Sequence, residues 1–106
     1  MNKLITVLAA FFMAATPAFA ADAPSAELGK QLFSDTNLGT NGKSCSTCHP
    51  DGKGLEKAAN YVESSLGKII NKCIQSPLKG KVLTSNSPEL KSLIKYIQIA
   101  AVTAKK

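Results

Sequence analysis

The chain holds 3 cysteines and 1 histidine. Three of these four residues stand together in Cys45-Ser46-Thr47-Cys48-His49. Two cysteines separated by two residues and followed at once by His form the attachment signature for c-type haem. The reason is spacing: two thiols at that separation reach the two vinyl positions on one edge of a porphyrin, and the adjacent imidazole turns beneath the ring to meet the iron. Two other chemistries use the same residue types. A thioredoxin-like dithiol would sit in an alternating strand and helix pattern, which this sequence lacks. A tetrahedral zinc site needs four ligands, so it would take His49 and Cys73 as well and exhaust every soft donor in the chain.

The segment before the motif supports export. Lys3 gives a positive start, Leu4 to Ala15 is apolar, Thr16-Pro17 breaks the run, and Ala18-Phe19-Ala20 has the small-x-small form that signal peptidase accepts. The run falls well short of the roughly 18 apolar residues of a membrane span, although an uncleaved anchor is the alternative. Residues 1–20 are therefore expected to be a signal peptide and 21–106 one haem domain, located in the periplasm and with no membrane association after cleavage. A chain of that size is marginal alone, and small scaffolds usually need a staple. One covalently bound haem would serve, and the absence of Trp is in keeping with a porphyrin supplying the missing bulk. All 13 basic residues are Lys, against 7 acids. Export argues against a nucleic-acid partner. The lysines read either as a solubilising surface or as a docking face for an acidic redox partner, since complementary fields mainly raise encounter rates.

The elements that must position these residues are helical. Ser25 to Ser34 reads as a first helix with Leu28, Leu32 and Phe33 on one face. Asp35 to Ser44 is loop, and Pro50-Asp51-Gly52-Lys53-Gly54 is a turn. Leu55 to Ile74 steps its apolar residues by three or four, through Ala58, Ala59, Val62, Leu66, Ile69, Ile70 and Cys73. That is one long amphipathic helix, or two with a break at Gly67, where glycine costs roughly 1 kcal/mol relative to Ala. A loop from Gln75 leads to a last helix with Ser87 as N-cap, Pro88 at its first position and Glu89 in its first turn. Leu90, Leu93, Ile94, Ile97 and Ala101 form its stripe. No strand-like alternation occurs, so the domain is expected to be all-α, three to five helices around the haem.

The motif, with Gly29 and Phe33 in the first helix and Leu93 and Tyr96 in the last, resembles the cytochrome c superfamily, whose terminal helices cross. The resemblance covers the whole chain after the leader. It implies a Met on the far side of the iron in ordinary electron carriers, and here the sequence departs: Met1 and Met13 both lie in the leader. The candidates for the sixth position are Cys73, Asn71, Lys72, another Lys, water or nothing. Cys73 is favoured by its place on the apolar stripe. A buried inert thiol or an intermolecular disulfide are its other uses.

Ile70-Asn71-Lys72-Cys73, followed by Leu78-Lys79-Gly80-Lys81 and Ser87-Pro88-Glu89-Leu90-Lys91, is similar to the haem domains of sulfur-oxidising and thiosulfate dehydrogenase systems. In those an Asn-x-Cys segment carries an axial Cys. A similar His/Cys pair of small cytochromes occurs in anammox bacteria as a heterodimer. The resemblance implies Cys73 as the distal ligand and a second small cytochrome, or another copy, as partner. Asn71 as the alternative ligand follows the high-spin sphaeroides haem proteins, where an Asn gives way to a diatomic.

The functional expectation is electron transfer at low potential, alone or within a redox complex, in a chain that is not itself an enzyme. The alternative is binding or sensing of NO or CO. Catalysis on sulfur compounds, as a subunit of an oxidoreductase, is a third possibility by analogy. Intact-mass measurement of the exported protein should give a chain beginning at Ala21 that carries the mass of one haem. A chain beginning at Met1 would contradict the leader assignment.

Overall fold

The computed structural model describes residues 23–104, so the expected leader lies outside the described residues. Within them the fold is all-α and cytochrome c-like, as expected. Helix α1 spans Ala26–Phe33, α2 Cys45–Cys48, α3 Glu63–Gln75 and α4 Pro88–Ala104. Short 3-10 turns at Thr36–Leu38, Pro50–Gly52 and Glu56–Asn60 connect them.

The ends of the first and last long helices are set by residue chemistry. The Ser25 side chain accepts the Leu28 N–H at 3.0 Å, and the Ser87 hydroxyl accepts that of Leu90 at 3.2 Å. Both satisfy N–H groups that have no partner within the helix. Ser25 also ties the two helices together, because its own N–H donates to the Ser92 hydroxyl at 3.0 Å. Ser92 is fully buried in α4, and this bond supplies the partner that a buried hydroxyl requires.

Helix α4 is the element against which the others pack. Leu90, Leu93, Ile94, Ile97 and Ala101 are all buried, so the stripe read from the sequence is the core. Helix α1 crosses α4 at Gly29, where a Cβ would overlap the Ser92 carbonyl and crowd Tyr96 Cβ. One turn further on, Phe33 meets Tyr96 edge to face, with ring centroids 5.1 Å apart and an interplanar angle of 62°. Aromatic pairs favour this arrangement because ring edges are positive and faces negative.

The middle of the chain differs from the expectation. The Leu55 to Ile74 periodicity does divide, but at Tyr61-Val62 and not at Gly67. Gly67 lies within α3 and is buried, facing the Leu90 and Ile94 side chains of α4; the lack of a side chain serves packing there. Val62, 66 % exposed, falls outside the core because the preceding 3-10 segment does not keep the helical period. Ala59 is exposed for the same reason.

Gly29→Ala is a direct test of the crossing. Helix propensity alone would favour Ala by about 1 kcal/mol, whereas overpacking a close contact costs about 1–3 kcal/mol. The overlap is with main chain, which cannot rotate away, so net destabilisation is expected in denaturant unfolding. A variant as stable as the parent would contradict the crossing.

Candidate functional site

The haem motif is short but well held. Ser44, buried just before α2, donates its N–H to the Thr47 hydroxyl at 2.9 Å. The His49 N–H closes the turn on the Cys45 carbonyl at 2.9 Å. Beyond it the backbone takes three left-handed residues, Asp51, Gly52 and Gly54, with φ of 54°, 78° and 86°. This coil carries the Lys53 carbonyl back to the imidazole, where it lies 2.8 Å from His49 Nδ1. A carbonyl only accepts, so Nδ1 holds the proton and donates it. Nε2 is then the unprotonated nitrogen, available to a metal, and its orientation is fixed from behind, as in most metal-ligating histidines. Gly54 is required twice: its φ is left-handed, and an added Cβ would stand 3.2 Å from Nδ1.

A cavity of about 300 Å³ opens beside this ring, within the range of cofactor sites, and is lined by Cys45, Cys48, His49 and Cys73. Its walls are apolar: Phe33, Leu66, Ile70, Leu78 and Ile97. Tyr61 and Ile69, both partly exposed, stand among its lining with Lys57. All three cysteines are free thiols. Burial pushes the Cys45 thiol up to about 11, helped by the nearby thiols of Cys73 and Cys48. At neutral pH that sulfur is uncharged. Cys73, though exposed on one side, is also raised, by the crowding of the wall and by Cys48. A thiolate at Cys73 therefore calls for a cationic centre nearby, such as a metal. Among the described residues no three His, Cys, Asp or Glu side chains gather as a metal-binding cluster, so the zinc alternative has no formed site. The donors line a cavity instead.

Cys73 lines the cavity with Leu66, Ile69 and Ile70 of the same α3 stripe, as its spacing suggests, and the turn beyond it is held by contacts that local sequence patterns do not reveal. The turn after α3 folds back on it: Leu78 N–H donates to the Cys73 carbonyl at 3.2 Å and Gly80 N–H to that of Ile74 at 2.7 Å. The loop ahead of the haem motif then grips that turn. Thr40 donates its N–H to the Leu78 carbonyl at 2.9 Å and its hydroxyl to that of Lys79 at 2.7 Å. Asn41 donates its amide to the Pro77 carbonyl at 2.6 Å. Asn41 read as a turn former in the sequence; nothing local indicated a partner 36 residues away.

The other ligand candidates fall elsewhere. Asn71 stands apart from the cavity. Its amide donates to the Leu83 carbonyl at 2.8 Å and accepts the Leu83 N–H at 2.8 Å, which engages both ends, and it is absent from the cavity wall. Lys72 is exposed and likewise lies outside the wall.

A family model described as di-haem cytochrome c peroxidase matches residues 23–99, almost all of the described chain. The chain belongs to the di-haem cytochrome c peroxidase family. No curated protein and no solved structure compared with it gives a match. Membership makes this a c-type cytochrome-like protein whose cofactor is haem c. It also corrects the expectation that the chain is not an enzyme, since the family is one of peroxidases.

The residues present fit the group. Two thiols and an imidazole with a free Nε2 stand along one cavity whose remaining walls are apolar enough to take a porphyrin. Gly54→Ala should perturb this arrangement in a particular way. A left-handed non-glycine residue costs about 1–2 kcal/mol, and the same charge falls on Gly42→Ala, where φ is +76° and nothing lies within 4 Å. Both variants of the haem-loaded protein should lose stability in denaturant unfolding. The visible absorption spectrum should change only in Gly54→Ala. Equal spectra in both variants would contradict the role given to the His49 support.

Proposed function

We propose that this chain is a one-haem, exported cytochrome unit that moves electrons within a peroxidase-type redox system. Cys45 and Cys48 would hold haem by thioether bonds, and His49 and Cys73 would be its iron ligands. The observation that carries the reading is the 2.8 Å contact between His49 Nδ1 and the Lys53 carbonyl. It leaves Nε2 free beside a cavity that Cys45, Cys48 and Cys73 share.

When bound, haem supplies an iron that accepts and releases one electron. The chain's own residues set the terms of that exchange. Cys45 and Cys48 anchor one edge. Lys53, through its carbonyl, fixes the proton on His49 Nδ1 and leaves Nε2 as the nitrogen that can ligate. The apolar wall of Phe33, Leu66, Ile70 and Ile97 keeps water from the ring. Axial-ligand identity is the protein's main lever on potential, and an anionic sulfur at Cys73 favours the ferric state.

The family name specifies two haems, and the sequence holds one attachment motif. In this reading the chain works beside a partner haem, on a second small cytochrome or another copy of this chain. Lys57, which lines the cavity, and the excess of Lys over acids suit an acidic face on that partner.

Potentiometric titration of the haem-loaded protein tests this reading. The midpoint should lie well below that of a His/Met carrier, and Cys73→Ala should raise it. A His/Met-like midpoint that is unchanged in Cys73→Ala would sink the proposed ligation. A complete shift of the reduced spectrum under CO would favour gas binding over simple electron transfer.

A further inference from the structure

We infer that Asn71 is a positioning residue for Cys73, acting through the roll of α3 about its axis; this rests on the proposed ligation by Cys73. The two residues are two positions apart on one helix, so their side chains leave it about 200° apart. Cys73 lines the cavity, while Asn71 holds the main chain of Leu83 through two hydrogen bonds of 2.8 Å. Among the described residues, these are the bonds that fasten the returning 81–84 segment to α3; the turn before it is tied at Gly80. Leu83 in turn packs its side chain against the core cluster.

The amide therefore pins one side of α3 to a segment anchored in the core, and the thiol projects from the other side. The apolar contacts of Leu66, Ile70 and Ile74 are non-directional and do not by themselves set roll. Directional bonds do. A roll of about 10° moves an atom about 5 Å from the helix axis by about 1 Å, several times the roughly 0.2 Å within which metal–ligand distances are held. The carboxamide is the side chain that fits, since it offers one donor and one acceptor to a main-chain N–H and C=O pair.

The test uses the haem-loaded full chain. Asn71→Asp keeps the acceptor for the Leu83 N–H but sets a carboxylate oxygen against the Leu83 carbonyl; Asn71→Ala removes both bonds. The ferric absorption spectrum should gain high-spin character in the order parent, Asn71→Asp, Asn71→Ala. The midpoint potential should move in the same order toward that of Cys73→Ala. A fall in melting temperature with spin state and potential unchanged would make Asn71 merely structural and overturn the inference. Failure of both variants to take up haem would also overturn it, because a residue acting on Cys73 leaves attachment at Cys45 and Cys48 intact. If Cys73→Ala itself leaves spectrum and potential unchanged, the ligation reading fails, and this inference with it. If Cys73→Ala changes them and the Asn71 variants do not, only the positioning role is lost.

Discussion

At the crossing of α1 on α4 the two main chains come into contact, because Gly29 has no side chain to hold them apart. A Cβ there has no space beside the Ser92 carbonyl. The Ser25 to Ser92 bond and the Phe33–Tyr96 pair lock the crossing on either side of that point. Once it is made, α4 becomes a fixed reference for the rest. Gly52, in the turn behind His49, rests on Ala100, and α3 lies along Leu90 and Ile94. Both sides of the cavity are thus measured from one helix.

The two sides are built on different principles. The His49 side is local. Ten residues from Cys45 to Gly54 contain the thiols, the imidazole, the left-handed coil and the carbonyl that orients the ring. The Cys73 side is assembled from distance. Its thiol stands on the α3 stripe with Leu66 and Ile70, and that helix is flanked by a turn at 77–80, which the 40–41 loop grips, and by the Asn71 bonds to Leu83 on its far side. Hydrogen bonds to main chain do much of this work. Such bonds add about 0.5–1.5 kcal/mol each to stability, but their directionality fixes position more sharply than apolar contact can.

This division explains what the sequence made legible. The first and last helices, the Ser87 cap and the Leu90 to Ala101 stripe follow from short-range spacing and appear in the expected places. The break in the middle did not, because Gly67 signals both a weak helix position and a close packing contact, and only the tertiary structure separates the two. Val62 and Ala59 fit a helical period that the 3-10 segment does not keep. Asn71 offered the right donor atoms for a ligand, yet its amide is engaged by a main-chain pair 12 residues on. The grip of Thr40 and Asn41 on the 77–79 carbonyls has no periodic trace at all. Nor did residue types alone place the chain among peroxidases; the family match over 23–99 did.

What stands opposite His49 decides the chemistry of the iron. Axial ligands set haem chemistry, so a thiolate at that position would separate this chain from the ordinary electron carriers with which it shares its motif. Low-temperature electron paramagnetic resonance of the ferric, haem-loaded protein reads the ligand set directly. The expected result is the low-spin g-values of imidazole and thiolate ligation, lost on Cys73→Ala. A five-coordinate high-spin signal in the parent, or a low-spin signal indifferent to Cys73→Ala, would contradict it.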